Sequence, residues 1–275
     1  MSNPNEFQTV WPELNKALAL SGPLTRGKFG LIGGFTHGYK TGLLTDLFYQ
    51  MCTGKTAVPT SPQRTPKIMY ITVDEPDSLL MKRLINYAYV QNNLPRLTEE
   101  RDLERDDIEF LTQTLNERGY DAGMFVLPPS EPMTVGNLIS IISGQITEDS
   151  EVHAVFVDGL DQLNREPASD HASALEALQA FVSKENILLM GTHQLSVQAM
   201  VHRREGHTGH ELLNLLYRDT LWVSGGERIA NLVDVEILMY LHMDHPKVDI
   251  LCGSHKQGMS VLPDDGHLTI SIPSK

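Results

Sequence analysis

A lysine and a threonine that follow a glycine-containing segment are the residues best suited to bind phosphate. Lys40 and Thr41 end the stretch G-x-x-x-x-Y-K-T, which starts at Gly34. In the pattern G-x-x-x-x-G-K-[ST], backbone N–H groups and the next helix bind phosphates, the lysine reaches the β- and γ-phosphates, and the hydroxyl ligates Mg²⁺. The predicted nucleotide-binding residues are Gly34, Gly38, Tyr39, Lys40, Thr41 and Gly42.

One position departs from that pattern, because Tyr39 stands where the glycine is expected and Gly38 lies one residue earlier. If this position needs a positive φ, a tyrosine there is strained. The alternative to a phosphate site is a Gly-rich turn without a ligand. An apolar strand, the loop and an amphipathic helix arrive in the order that the motif requires, which favours the phosphate site.

Polar side chains also follow three other apolar runs. Asp158 ends a Walker B-like strand and is predicted to hold Mg²⁺ together with Thr41, whereas Gln194 is predicted to contact the γ-phosphate or to be a turn residue. Asp74 and Glu75 end the strand after the loop; either could orient an attacking water, and Asp74 also fits a helix N-cap. Ligands of parallel sheets bind at the carboxyl ends of strands, so these groups predict one site.

The elements that must position these residues alternate between strands and helices, which predicts an α/β fold with a mostly parallel central sheet flanked by helices. The charged run 98–107 is predicted to be a solvated helical face or a flexible connection, and the polar segment 197–224 is predicted to be a loop. Strands are predicted at 29–32, 67–73, 125–127, 152–157, 187–192, 233–241, 248–252 and 268–272, and helices at 10–20, 42–51, 77–89, 138–146 and 172–183.

Size and composition narrow the class of protein. The 275 residues suit one large domain or two small ones and contain no apolar run of about 18 residues that would span a membrane. Two cysteines without metal spacing fit a reducing cytoplasm, and eleven histidines without H-x-x-x-H or H-E-x-x-H spacing predict no zinc site. The net charge of −13 argues against a protein coated in positive charge for nucleic acid but leaves room for a local basic channel.

Four stretches in collinear order resemble the RecA-like ATPase core of hexameric replicative helicases of the DnaB type. The resemblance covers roughly residues 24–262 and implies a P-loop ATPase that uses ATP and Mg²⁺. The first stretch matches the family's strand that ends on a catalytic glutamate. That glutamate aligns with Asp74 or, after a shift of one residue, with Glu75. The third stretch matches a Gly-containing segment before the family's final strand. The four are IMYITVDE with the following LMKRL, LMGTHQLS, GGERI and ILCGSHKQG.

The resemblance also implies residue roles at the last strand and in the channel. The family's Lys-x-Arg-x-Gly pattern places positive charge at the neighbouring subunit's ATP site, and here Ser254 and Lys256 occupy the two basic positions, so Lys256 is the expected catalytic group. Loops at roughly 161–171 and 197–224 are expected to line a channel for single-stranded DNA, with Tyr217 and Trp222 as the sparse aromatic residues. The expected DNA-binding residues are His202, Arg203, Arg204 and Arg218.

The resemblance implies a homo-oligomer, expected as a hexameric ring, that moves along single-stranded DNA in the cytoplasm and contacts a helicase loader or replisome proteins. We expect residues 1–24 to form a leader and 25–275 the ATPase domain, without the family's N-terminal primase-binding domain, as in some phage and plasmid helicases. Two alternatives stay open: a recombination or loader ATPase without unwinding activity, and a RecA-like signalling ATPase that binds no DNA.

Overall fold

The computed structural model describes residues 6–54, 64–72, 77–98, 101–127, 134–163, 171–218, 220, 222–223, 226–242, 244–245, 247–257 and 267–271. Within them, eight strands form one sheet in the order β3-β2-β4-β5-β1-β6-β7-β8. The strands are β1 (Phe29–Gly34), β2 (Thr65–Thr72), β3 (Asp121–Val126), β4 (Ser150–Asp158), β5 (Leu188–Gln194), β6 (Val235–Leu241), β7 (Lys247–Gly253) and β8 (His267–Ser271).

Helices cover both faces of this sheet. The helices are α1 (Pro12–Ser21), α2 (Lys40–Thr53), α3 (Asp77–Gln91), α4 (Arg105–Asn116), α5 (Val135–Ser143), α6 (His171–Glu185), α7 (Val197–Arg204), α8 (Gly209–Arg218) and α9 (Glu227–Ala230), with 3-10 turns at Leu160–Gln162 and His255–Gln257. In the described part of the chain, no helix combines the length and the apolar character that crossing a bilayer requires.

The direction of the strands confirms the predicted α/β class. The strands β3, β2, β4, β5, β1 and β6 are parallel to one another, β7 is antiparallel to β6, and β8 is antiparallel to β7. β1 lies between β5 and β6, so all six of its residues are buried. Its carboxyl end, where the predicted phosphate-binding loop begins, is therefore surrounded by the carboxyl ends of other parallel strands.

Two hydrophobic cores lie on opposite faces of the sheet, because successive strand residues point to opposite sides. In β2, Ile68 and Tyr70 belong to the core that includes residues of α1–α4, and Met69 and Ile71 belong to the core that includes residues of α5–α8. The strands are apolar on both sides for this reason, as is typical of parallel sheets.

The first 24 residues, predicted as a leader, contribute a helix to the first of these cores. Leu14, Ala17 and Leu18 of α1 are buried together with residues of α2 and of β7. Glu6 also forms an isolated antiparallel bridge with Thr25. The described part of this segment therefore packs against the sheet and α2, and the boundary expected at residue 24 stays a prediction.

The segment 197–224, predicted as a loop, is largely helical, and that prediction was wrong. It contains α7, which Ser196 caps through a hydrogen bond from Ala199 N, and α8. The apolar positions of α8 recur at helical spacing but lie among Gly, His and Arg residues, which made the segment look like a loop. The described residues of the charge run 98–107 are mostly exposed, as predicted, and lead into α4.

Candidate active site

The loop between β1 and α2 is a tight turn with two residues in the left-handed region. His37 and Tyr39 have φ values of 58° and 68°. Gly38 N donates a hydrogen bond to the Phe35 carbonyl oxygen at 2.9 Å, and a Cβ on Gly38 would lie only 2.7 Å from that oxygen. The turn thus excludes a side chain at Gly38 and forms a close-packed backbone cradle at the start of α2, where a helix binds anions.

Tyr39, the residue that departs from the motif, has a positive φ of 68°, so the condition under which the sequence predicts strain at this position is met. Its ring lies over Gly42, where an added Cβ would collide with ring atoms. The phenol oxygen lies 3.3 Å from Asp46 Oδ2 and 3.3 Å from Tyr87 Oη. Burial raises the pKa of Tyr39 to about 12 and that of Asp46 to about 7. The ring and the hydroxyl therefore offset the backbone strain with packing and hydrogen bonds.

A cavity of about 730 Å³ opens beside this tyrosine. Its lining includes Tyr39 and Asp46 from the loop and α2, Arg83 and Tyr87 from α3, and Trp11 from the chain ahead of α1. Aromatic walls with a few charged groups are typical of small-molecule sites. Because a tyrosine stands where the motif has glycine, its ring forms one side of a cavity next to the loop.

Lys40 is the first residue of α2 and points back into the loop. Its Nζ donates to the carbonyl oxygens of Gly34 at 3.1 Å and Phe35 at 2.9 Å. Burial lowers the pKa of Lys40, and the nearby carboxylates of Asp161 and Asp158 act in the opposite direction. The ammonium group thus lies between the loop and the end of β4, where it can bind phosphate oxygens.

Asp158 ends β4 and is held by the neighbouring strand. Thr192 Oγ1 in β5 donates to Asp158 Oδ1 at 2.6 Å and accepts from Gly159 N at 2.7 Å. Thr72, the last residue of β2, is the pairing partner of Asp158. Asp74 and Glu75, the two predicted alternatives for the catalytic base, follow that strand end and lie outside the described residues.

Gln194 ends β5 and contacts the phosphate-binding loop. Thr36 Oγ1 donates to Gln194 Oε1 at 3.5 Å, and Leu195 N donates to Gly34 O at 3.2 Å. The residue predicted to contact the γ-phosphate therefore touches the loop itself. The structure brings Lys40, Asp158 and Gln194 together at one edge of the sheet.

Lys256 lies at the opposite edge. β7 runs antiparallel to β6 and ends with Gly253 opposite Glu236, at the end of β6 that is remote from the loop. Lys256 Nζ forms an ion pair with Asp234 Oδ1 at 3.0 Å. In its own subunit Lys256 therefore cannot act at the phosphate-binding loop, and its predicted role in a neighbouring subunit's site stays a prediction.

The predicted DNA-binding residues lie on α7 and α8 and differ in accessibility. Arg204 and Arg218 are exposed, whereas His202 is half-buried and contacts Glu205 Oε2 through Nδ1 at 3.2 Å. Tyr217 and Trp222, the two aromatic residues that the sequence offers for stacking on bases, are both buried. They are unavailable for stacking on bases, because their rings belong to the core between α8 and the sheet.

The other segment predicted to line the channel, 161–171, is described only at its two ends. Residues 161–163 follow β4 and include the end of a 3-10 turn, and His171 begins α6. Residues 164–170 lie outside the described residues, so their DNA contact stays a prediction.

Sequence reasoning assigned Arg203 to DNA and missed its contact with the loop, and it missed Asp161 altogether. The Arg203 guanidinium lies over the Phe35 ring at 4.9 Å and near the Tyr240 ring at 6.0 Å, so it contacts the phosphate-binding loop directly. Asp161 lies beside Lys40, and burial raises its pKa. Asp161 lies three residues after Asp158, and this short spacing could have indicated that it belongs to the site. No sequence pattern indicates the contact of Arg203 with Phe35.

The donor set fits a nucleoside triphosphate with Mg²⁺. The turn admits only glycine at position 38 and leads directly into α2, whose first N–H groups lack acceptors within the helix and can bind phosphate. The Thr41 hydroxyl and the Asp158 carboxylate are oxygen ligands of the kind that Mg²⁺ prefers.

Comparisons with known proteins agree with this geometry. Residues 1–250 match the model of the divergent DnaB-like ATPases. The chain is similar to a DnaB-like replicative helicase whose structure was described with its interactions with primase, at 14% identity and a TM-score of 0.59, over 90% of this chain and 55% of that one. It is also similar to a second solved structure, that of an ATPase domain, at 13% identity and a TM-score of 0.61, over 97% of this chain and 89% of that one.

A search of curated proteins found no match. The chain spans about half the length of the DnaB-like helicase, 55% of it, so that protein's whole activity does not carry over directly. Both structural likenesses, at 14% and 13% identity, concern the fold. The family match covers residues 1–250 of the 275, and the chain therefore belongs to the divergent DnaB-like ATPases.

Proposed function

We propose that this chain is an ATP-driven translocase on single-stranded DNA that assembles into a homo-oligomer, a hexameric ring, and unwinds duplex DNA. The family supports the ATPase part of this proposal. The relation to a DnaB-like replicative helicase supports the DNA part. Binding of loader or replisome proteins remains a prediction that follows from the same relation.

Each residue of the site has a role in this proposal. The cradle at Gly38 and the start of α2 bind the phosphates, and Lys40 exchanges its contacts with the loop carbonyls for phosphate oxygens. Mg²⁺, when bound, neutralises charge that develops on the transferred phosphoryl group. Thr41 and Asp158 would hold this ion, and either Asp74 or Glu75 would orient the attacking water.

One observation supports the coupling of this site to DNA. Arg203 of α7 stacks on Phe35 in the phosphate-binding loop, and exposed Arg204 is the next residue. α7 also begins three residues after Gln194, which contacts Thr36 of the same loop. The helix that carries the basic residues is therefore in direct contact with the loop proposed to bind phosphate, which gives a route by which nucleotide binding could act on DNA contacts.

ATP hydrolysis by the purified chain, with and without single-stranded DNA, tests the proposal. We expect DNA to stimulate hydrolysis and Lys40→Ala to abolish it without loss of fold, whereas Lys184→Ala, a change of an exposed lysine on α6, keeps wild-type rates. Wild-type turnover in folded Lys40→Ala would overturn the assignment of the loop. Unwinding of a forked duplex separates a helicase from a recombination or loader ATPase.

DNA contact is tested by the salt dependence of binding. Loss of one phosphate contact in Arg204→Ala or Arg218→Ala should lower the salt slope by about 0.7 for a single strand. Arg105→Ala, which removes an exposed arginine on α4, is the matched control and should leave the slope unchanged. Equal slopes in all these proteins would place the DNA elsewhere.

A RecA-like signalling ATPase without DNA is the second candidate. The net charge of −13 and the burial of Tyr217 and Trp222, which leaves no aromatic platform at these two positions, favour it. Hydrolysis that is insensitive to single-stranded DNA, together with no measurable DNA binding, would support this candidate.

A further inference from the structure

The end of α7 brings two histidines into contact. His207 N donates to His202 O at 3.2 Å and Gly206 N donates to Arg203 O at 3.2 Å, with Gly206 at a φ of +99°. These two bonds define a Schellman turn, in which the first and last residues of the six meet, usually through an apolar contact. Here both are histidines, and their ring centroids lie 6.0 Å apart.

A carboxylate completes the group. Glu205 lies between the two histidines in sequence, and one ligand atom each of His202, Glu205 and His207 lies within 4.8 Å of the others. Ligands about 2.1 Å from a tetrahedral ion are about 3.4 Å apart, so modest side-chain rotation brings all three onto one ion. His202 and His207 are half-buried and Glu205 is exposed, so an ion can enter from solvent.

A second carboxylate orients one of the histidines. Nδ1 of His207 lies 2.9 Å from Glu211 Oε1, one turn into α8. A carboxylate on one nitrogen of a ligating imidazole fixes its tautomer and leaves the other nitrogen for the metal. Glu211 therefore prepares Nε2 of His207 to bind an ion and connects the turn to α8.

We propose that His202, Glu205 and His207 form a site for a divalent transition-metal ion, of the Zn²⁺ type, at the turn between α7 and α8. Two imidazoles and one carboxylate suit Zn²⁺ and not Mg²⁺ or Ca²⁺, which prefer all-oxygen ligands. Three protein ligands leave one tetrahedral position open to solvent. This site gives His202 a metal ligand's role in place of the DNA contact predicted from the sequence.

The expectation of no zinc site considered only histidine spacings within a continuous helix. His202 and His207 are five residues apart, a spacing that puts side chains on different faces of a helix. Gly206, two residues after the end of α7, has a positive φ and reverses the chain, so the two rings meet across the turn.

Titration of the untagged, chelator-treated chain with Zn²⁺ by calorimetry, and with Co²⁺ by visible absorption, tests this site. We expect one Zn²⁺ per chain and the absorption bands of tetrahedral Co²⁺. His202→Ala and His207→Ala should each weaken binding at least about tenfold, and Glu211→Gln should weaken it about 10–100-fold. His245→Ala removes an exposed histidine elsewhere and should bind as the wild type does.

A turn variant gives an independent measurement. Gly206→Ala keeps every ligand but places a Cβ at a φ of +99°, so it should weaken Zn²⁺ binding while leaving circular dichroism unchanged. Absence of Zn²⁺ binding by the wild-type chain, or wild-type affinity in both His202→Ala and His207→Ala, would overturn the proposal.

Discussion

At the scale of single residues, Tyr39 and Gly42 form a reciprocal pair. The ring of Tyr39 occupies the space that a side chain at position 42 would need. The motif has glycine at position 39, and this chain has tyrosine there and glycine at position 42, in α2. Glycine inside a helix is otherwise unfavourable by about 1 kcal/mol relative to alanine.

We expect the effect of Gly42→Ala on stability to change sign with the residue at position 39. In the wild type the added methyl collides with the ring and should lower the free energy of unfolding by about 1–3 kcal/mol. In Tyr39→Gly the ring is absent, and the same change should raise it by up to about 1 kcal/mol through helix propensity. Urea unfolding of the four proteins in this double-mutant cycle measures the coupling.

Gly136→Ala is the control for that cycle, because Gly136 is an exposed glycine of α5 with only ordinary contacts around an added Cβ. Its effect should be the same in both backgrounds. Equal effects of Gly42→Ala with and without the ring would show that the pair does not interact.

The residues proposed to bind phosphate and magnesium could be assigned to one site from the sequence, whereas their neighbours could not. Lys40, Asp158 and Gln194 each follow an apolar strand, and parallel strands bring such positions to one edge whatever the details of packing. The contact of Arg203 with Phe35 depends on the length and direction of α7, which local patterns do not encode.

At the scale of elements, an ion pair between Glu236 and His255 connects β6 with the residues that follow β7. Glu236 in β6 is fully buried, and its Oε2 lies 2.8 Å from His255 Nδ1. His255 Nε2 lies 2.9 Å from Tyr217 O in α8. Burial alone would lower the pKa of His255, but the hydrogen bonds and charge of Glu236 outweigh it, so the pKa is raised.

This raised pKa predicts a stability that depends on pH. The folded chain keeps the His255 proton at pH values where the unfolded chain, with a pKa of about 6.5, has lost it. The stabilisation is therefore fully present below about pH 6.5 and is lost as the pH rises through the raised pKa. Urea unfolding across this window should show a smaller decline in His255→Gln, which should also be less stable by about 1–3 kcal/mol at low pH.

His245→Gln serves as the comparison, because His245 is exposed. It should reproduce the wild-type pH profile. A profile of His255→Gln that runs parallel to that of the wild type would assign the pH dependence to other groups.

The sheet and five of the nine described helices followed from apolar periodicity, but α4, α7, α8 and the four-residue α9 did not. Their apolar residues face a core from only one side, and the intervening charged and glycine residues dominate a short window. The sequence also could not predict that β7 is antiparallel to β6, because an apolar run indicates a buried strand but not the direction of that strand in the sheet.

At the scale of the whole molecule, Lys256 and Lys40 lie at opposite edges of one sheet. Any joint action of the two must therefore involve two subunits. A cation at the γ-phosphate in trans accelerates hydrolysis by about 10³–10⁵ when it is an arginine, and a lysine, which cannot donate bidentately, should contribute less.

We expect Lys256→Ala to lower ATP turnover at least about tenfold, and turnover of the wild type to depend on protein concentration. A mixture of Lys256→Ala and Lys40→Ala chains should regain activity, because some mixed interfaces combine an intact Lys40 with an intact Lys256. Steady-state hydrolysis of the mixture measures this recovery.

Co-assembly of the two variants must be demonstrated, for example by pull-down of differently labelled chains, and Lys184→Ala in place of Lys256→Ala gives the reference mixture. No recovery in a co-assembled mixture would exclude a shared site. Full activity of Lys256→Ala alone would leave the lysine with only its ion pair to Asp234.

The tyrosine in the phosphate-binding loop has a pharmacological consequence. Inhibitors aimed at nucleotide sites commonly fail to discriminate because the phosphate cradle is built from backbone atoms that many ATPases share. Here the ring of Tyr39 lines the adjoining cavity of about 730 Å³, and its hydroxyl contacts Asp46 and Tyr87. A compound shaped to stack on that ring would lose its contact surface in any ATPase with glycine at this position, so selectivity would come from the one residue that breaks the motif.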